Sequence, residues 1–530
     1  MPLKETLTSI AVSRTRHRIL FLCALSLFLI GIPFSRFLMS LGGIVLFANW
    51  VLEGGFAEKF KKISKSKTIW ICILLYFVHI LWLISSQNLS YGLEDLWIKI
   101  PLLFIPIIFF TSPPLSRKEF IILLLIYVIG VFISTFSGFV TYLFGDLCDK
   151  REMALFISYV RFEINICFAC FVCLYLLFQS QIKSTLIRKA FIAILLCWFL
   201  FFLAYSGSMT AIVLLLVIGT GIIIWKAIKS VNKFFKYVIP SLTLLIIIST
   251  CFYLYRTVTA YFDADFSIET ADKYTPDGNP YFHDTAKHYI ENGNYIFSYI
   301  CYEELKQAWN KRSQIDFHEL DNNGFPIQGT LIRYLNSLGQ RKDRQGVESL
   351  TVQDISNIEQ GIANVSYTHK FNIFNRVYEL MWEISDYYNT GYVTGYSMAQ
   401  RIELWKNSIQ LIQKHPWIGV GTGDVKDALA QELEQSNSPL AGTNMRSHNQ
   451  YFTFLIAFGI VGLLLILFSL FYPPIALRKV HPLFWVFFCI IILSMFTEDT
   501  LEPQDGATFF AFFYSFFLFL NSEKENHSLK

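Results

Sequence analysis

The chain has 530 residues, of which 54% are hydrophobic, 17% aromatic and only 16% charged, with a net charge of +4. So much apolar surface excludes an ordinary soluble enzyme, because separate apolar runs of roughly 17–25 residues each match the ~30 Å core of a bilayer. The Lys and Arg clusters lie between those runs with no interleaved aromatic platform, which excludes nucleic acid as a partner.

In chain order the pattern predicts an all-α polytopic membrane protein with about twelve spans and one large, mainly helical loop domain. The expected spans are 18–34, 37–53, 68–85, 96–111, 119–143, 156–178, 189–205, 209–226, 236–255, 450–472, 481–497 and 506–521. The N-terminus is basic, but the first apolar run has no small-residue cleavage site and more spans follow, so no cleavable signal is expected. With both termini placed in the cytoplasm, the inside segments carry 22 Lys and Arg residues and the short outside loops only 3, namely Arg36, Lys150 and Arg151. That asymmetry sets the orientation. The expected division is a membrane domain over 1–255, an outside loop domain over 256–449, a second membrane domain over 450–521 and a cytoplasmic tail over 522–530.

Cys167, Cys170 and Cys173 have metal-like spacing but sit in the middle of a span with no second half-site, so small apolar packing groups are the better reading. Cys148 and Cys301 both fall in segments placed outside and are available to pair. In the long loop, His283 to Arg312 has helical periodicity, which puts Tyr289, Ile296, Ile300, Leu305 and Trp309 on one face. Asn292-Gly293-Asn294 and Asn322-Asn323-Gly324 are turn signals.

The stretch from Ser397 to Gly462 concentrates the chemistry. A helix over Arg401–Lys414 stacks Arg401, Trp405, Ser408 and Ile412, and Pro416 ends it. Gly419, Gly421 and Gly423 then make a turn whose backbone N–H groups suit a phosphate, and Asp424 reads as the cap of the next helix. His448 stands beside Arg446 and Asn449 at the mouth of the span that follows. Arg161 and Glu163 lie inside the sixth span near the same outer level. An arginine at that depth costs ~2.5–3.5 kcal/mol and needs a partner or a task. Glu498, Asp499, Glu502 and Asp505 form an acidic cluster that fits either a divalent cation or a solvated loop. No H-E-x-x-H motif, no Ser-His-Asp signature and no nucleotide loop is present, so neither cofactor nor metal is expected.

The pattern R-x₃-W-x₉-H-P-W-x-G-V-G-T-G-D, followed by S-H-N-Q-Y and F-G-I-V-G-L, resembles the O-antigen ligase and polymerase superfamily of membrane glycosyltransferases. The segment TLIRYLNSLGQRKDRQGVESL is similar to an insertion in Bacteroidetes-type members. The resemblance implies a bacterial inner-membrane enzyme whose site faces the periplasm. It would move a glycan from undecaprenyl diphosphate to a hydroxyl of lipid A–core, among membrane lipids and without a cofactor. By matching position, Arg401 is the loop arginine and His448 the loop histidine, so both are implied as catalytic. Arg161, Arg401 and Arg446 are implied as ligands of the donor diphosphate, with Asn449, Gly421 and Gly423 in support. One departure stands out: relatives carry an arginine at the outer start of the eighth span, whereas Tyr205-Ser206-Gly207-Ser208-Met209-Thr210 has none. Either Arg161, Arg256 or Arg446 supplies that charge, or the donor is held differently. The rivals are a repeat-unit polymerase, a protein O-oligosaccharyltransferase and, from another class, a polysaccharide transporter or flippase. The short 144–155 loop argues against the polymerase, and the lack of a repeat argues against the transporter.

Overall fold

The computed structural model describes residues 2–145, 147, 149–179, 186–264, 269–284, 289–368, 373–477 and 479–520. The chain divides into two compact units, residues 1–226 together with 404–530, and residues 227–403. Among the described residues, eight helices are long and apolar enough to cross a membrane, or nine if the bent pair Arg36–Leu52 and Phe56–Ser64 is one span. The architecture is that of an all-α multi-pass membrane protein.

Several of the twelve expected segments fall on shorter helices. The segment expected at 96–111 is split into Leu89–Lys99 and Pro101–Thr111, because Pro101 has no N–H to continue the helical ladder. Pro482–Ser494 has 13 residues and Gln504–Phe519 has 16. Gln504–Phe519 is apolar all round and buried along nearly its whole length, as a central helix must be. Its Phe513 and Phe517 pack against Phe168 and Phe487 with ring centroids 4.9–6.4 Å apart.

The helix Gln450–Ala476 is interrupted at Gly459, which takes φ 61 and ψ −167. There Ile460 and Val461 give their N–H groups to Pro416 O (2.9 Å) and Trp417 O (3.2 Å). The carbonyls they leave behind, those of Ile456 and Ala457, accept from Val420 N (2.8 Å) and Gly421 N (2.9 Å). Two helical bonds are thus exchanged for four to the segment 416–421, which keeps backbone polar groups satisfied where water is scarce. The same segment is tied to helix Lys67–Leu81 and its end by Trp82 Nε1 to Ile418 O (2.5 Å) and Thr422 Oγ1 to His79 O (2.6 Å).

The second unit begins with helix Lys233–Phe262, a candidate span, and continues as a small domain of short helices with one hairpin, Ile290–Glu291 against Asn294–Tyr295. The five residues expected to share a helix face are all buried in its core. Only Leu305 and Trp309 lie on a helix, Tyr302–Trp309. Asn292 and Gly293 take φ 55 and 72 and reverse the chain, so the turn signal overrode the helical period. Arg333 makes a double bond to buried Glu291 (2.8 and 3.0 Å) and lies 3.4 Å from the Trp382 ring centroid, joining helix, hairpin and helix. Cys167, Cys170 and Cys173 are buried along Tyr159–Phe178 as free thiols. Cys148 lies outside the described residues, and Cys301 is buried at the start of Tyr302–Trp309.

Lys342 in this unit is 3% exposed, and among the described residues its ammonium donates only to Asn336 Oδ1 (2.7 Å) and Tyr295 O (3.3 Å). Burial lowers its pKa to about 7. A lysine whose folded pKa lies below its unfolded value of ~10.4 opposes folding while charged, and the opposition fades as pH rises between the two values. The melting temperature of the wild-type protein should therefore rise relative to Lys342→Met as pH goes from 7 to 10. A constant difference between the two across that range would show that Lys342 stays charged in the fold.

Candidate functional site

Helix Gln450–Ala476 starts at Asn449, whose side-chain oxygen accepts from Tyr451 N (3.0 Å) and Phe452 N (3.2 Å). Its amide nitrogen donates to Phe496 O at 3.1 Å. Asn449 is thus a cap and a strut, an ordinary use of asparagine. One residue earlier, His448 takes φ 49, a left-handed conformation that costs a histidine energy and needs outside support. Asp499 gives that support. Its carboxylate accepts from His448 N (2.9 Å) and from Thr453 Oγ1 (2.5 Å), while Ser447 Oγ bonds Thr453 Oγ1 at 2.8 Å. The imidazole is 38% exposed and turns Nδ1 toward Glu498 Oε2, 3.5 Å away.

Arg446 leads into this loop and is engaged on both sides. Nη1 pairs with Glu502, and Nη2 donates to Tyr91 Oη at 2.6 Å. Glu502 is 6% exposed and also accepts from Lys99 Nζ (2.9 Å) and Gln450 Nε2 (2.8 Å). Lys99 in turn bonds both oxygens of Asp95 at 2.7 Å. Burial alone would raise the Glu502 carboxyl, but Lys99 and Arg446 hold it well below the ordinary carboxylate range. Asp499 goes the other way: burial raises it against the pull of the Thr453 hydroxyl.

Arg161 is in the first turn of Tyr159–Phe178. Nη1 donates to Ser158 Oγ (2.6 Å), Nη2 to Asp499 O (3.4 Å), and Nε lies 3.5 Å from Asp505 Oδ1. Gly506 makes room for it, since a Cβ there would sit 1.9 Å from Thr500 O and 3.3 Å from Arg161 Nε. Glu163 faces elsewhere and is buried, with Oε1 lacking a hydrogen-bond partner among the described residues. Arg161 therefore has partners other than Glu163, and Ser208 Oγ, at the start of helix Met209–Ile228, accepts from Ala211 N at 3.3 Å.

The acidic cluster is neither a cation site nor a solvated loop. Asp499, Glu502 and Asp505 are buried; the first two are hydrogen-bonded to the residues above, and Asp505 lies 3.5 Å from Arg161 Nε. Among the described residues, no group of three His, Cys, Asp or Glu side chains is arranged to hold a metal ion. The glycine turn also differs from expectation. The N–H of Gly421 is spent on Ala457 O and that of Gly423 on Ser86 Oγ (2.9 Å), so the turn is a structural latch and not a phosphate cradle. Asp424 makes no side-chain cap bond. Its carboxylate accepts from Gln87 N (2.7 Å) and Asn88 N (2.8 Å) instead.

Arg401 lies in the second unit, half-buried on helix Ser397–Lys414, one turn before Trp405. Arg256, the other arginine considered for the missing charge, is in the same unit and exposed. The structure thus gathers Arg161, Arg446, His448 and Asn449 in the first unit, with Lys99, Asp95, Tyr91 and Gly506 as members that sequence reasoning missed. Asp95 and Lys99 were detectable, because two opposite charges four apart at the head of an apolar run call for a buried partner. Tyr91 and Gly506 carried no such signal.

Comparison with protein families matches residues 360–467 to the family described as O-Antigen ligase. Comparison with curated proteins finds no match. The matched segment, which holds Arg401, the glycine latch and His448, is similar to that family.

Proposed function

We propose that this chain belongs to the O-antigen ligase superfamily and is an inner-membrane glycosyltransferase, moving a preassembled glycan from undecaprenyl diphosphate to a sugar hydroxyl of lipid A–core. The observation that carries the reading is His448, partly exposed in a left-handed conformation with Nδ1 toward Glu498. A residue held in strain by a buried carboxylate beside two arginines is what a fixed general base requires. Both termini are cytoplasmic in this reading, the domain over 256–449 is periplasmic, and the site opens on the periplasmic side.

The acceptor oxygen attacks the anomeric carbon and gives its proton to His448 Nε2. The bond from that carbon to the phosphate oxygen breaks, and the electron pair leaves on the diphosphate, so the anomeric centre inverts. Arg161 binds the diphosphate and stabilises the charge that develops on it, the part that the resemblance implies for Arg401. Arg446 is already committed to Glu502 and Tyr91, so its part is to hold the His448 loop. Ligation is preferred to polymerisation because the chain has one long hydrophilic segment instead of two.

His448→Ala should lower transfer by ~10²–10⁴. The check compares lipopolysaccharide and carrier lipid from wild-type, deletion and His448→Ala cells. Long glycan lost from lipid A, with polymer accumulating on the carrier, supports ligation. Lipid A bearing single repeat units would instead make the protein a polymerase. Unchanged lipid A in the deletion would turn the search to protein acceptors.

A further inference from the structure

Two cations and one buried carboxylate meet where the first helical hairpin turns. Arg36 opens helix Arg36–Leu52, and its Nη2 lies 3.7 Å from Asp505 Oδ2. Arg161 Nε lies 3.5 Å from the other oxygen. Both separations are too long for good hydrogen bonds. Asp505 is 4% exposed, and neither of its carboxylate oxygens has a hydrogen-bond partner among the described residues; the same holds for Arg161 Nε. Asp505 and Arg161 border a small cavity with Asn165 and Thr500, walled by Ile32 and Phe509. Fork-to-fork pairing with arginine would satisfy a carboxylate fully, and this arrangement falls short of it on both sides.

The two arginines differ in exposure. The Arg161 side chain is 19% exposed and anchored to Ser158 and Asp499, whereas that of Arg36 is 58% exposed. Next to Arg36, Phe37 is 71% exposed, and Phe156, which packs on Phe34 with centroids 5.0 Å apart, is 43% exposed. Charge with adjoining apolar surface suits an anion carried on a lipid. The formal charge of the trio is +1, so the site favours an anion even with Asp505 in place.

We propose that Arg36 and Arg161 form an exchange clamp for a lipid-linked diphosphate, with Asp505 as the resting counter-ion that the diphosphate displaces from Arg36. The clamp rests on the donor chemistry given under the proposed function and assigns to Arg36 the charge missing from the eighth span. Releasing Arg36 from Asp505 costs little, because Arg36 is itself largely exposed, the 3.7 Å contact is no hydrogen bond and Arg161 stays beside the carboxylate, while a phosphate offers the bidentate geometry the carboxylate lacks.

The test measures binding of undecaprenyl diphosphate to the full-length protein in nanodiscs, with inorganic diphosphate and phosphatidylglycerol as competitors. Arg36→Gln should weaken binding roughly tenfold and Arg36→Lys less, because lysine keeps the charge but loses the fork. Asp505→Asn should tighten binding, a sign that a merely structural carboxylate would not produce. Phosphatidylglycerol and inorganic diphosphate should both compete weakly. Strong competition by phosphatidylglycerol would overturn the diphosphate in favour of any anionic lipid, and strong competition by inorganic diphosphate would remove the lipid part of the claim. If Asp505→Asn does not fold, the exposed Arg36 variants still decide. Unchanged affinity in Arg36→Gln, with transfer still abolished by His448→Ala, overturns the clamp and leaves the proposed function standing. Affinity lost in Arg36→Gln, in a protein that transfers no glycan, upholds the clamp and overturns the proposed function.

Discussion

Glu502→Ala should destabilise the first unit by ~3–5 kcal/mol, the cost of removing one member of a buried charge network. Glu502 is the acid shared by Lys99, Arg446 and Gln450. Without it, Lys99 keeps Asp95, but among the described residues the half-buried Arg446 keeps only the Tyr91 hydroxyl. Arg446 leads directly into Ser447 and His448, so the loop should loosen and transfer should fall with stability. Asp95→Asn should cost less, because Lys99 then still has Glu502. The pH dependence has a definite sign. The Glu502 carboxyl is held below its unfolded value, so its contribution is complete above ~4.3 and is lost as pH falls through the folded value. Thermal denaturation of the detergent-solubilised protein, wild type against Glu502→Gln, should show curves that converge as pH drops from 6 toward 3. Parallel curves would mean that the network does not carry the stability assigned to it.

Gly459→Val should prevent folding altogether, with a loss above ~4 kcal/mol. Any Cβ at Gly459 would lie 2.3 Å from the carbonyl carbon and oxygen of Trp417, and the φ of 61 strains any side chain. The only relief is to push segment 416–421 away, which breaks the four exchanged backbone bonds in an apolar setting. Gly442→Ala is the matching control. It has φ 78 but nothing within 4 Å of a new Cβ, so conformational strain alone, ~1 kcal/mol, should remain. Yield and melting temperature after detergent extraction should separate the two. Equal behaviour would show that the latch at Gly459 is not required for the fold.

Residue type and order were enough to reveal a helical membrane protein, because apolar run length alone meets the demand of the bilayer. They were also enough to single out His448, Arg161 and Arg401, and the superfamily segment that holds two of them, since charges beside a membrane span stand out in so apolar a chain. The core of the loop domain was legible as a set of residues but not as helix, because Asn292-Gly293 turns the chain against the apolar period. Tertiary structure alone decided what the polar groups do. The acids at 499–505 look like a cation site in one dimension, and only folding places Lys99, Arg446, Arg161 and Arg36 against them. The glycines at 419–423 look like a phosphate cradle until the interruption at Gly459 claims the N–H of Gly421 and Ser86 claims that of Gly423. The physical reason is the same in both cases. Type and spacing determine what a group can bond, but in a dry interior its partner comes from whichever distant segment packs there, and Lys99 and Glu502 lie 403 positions apart.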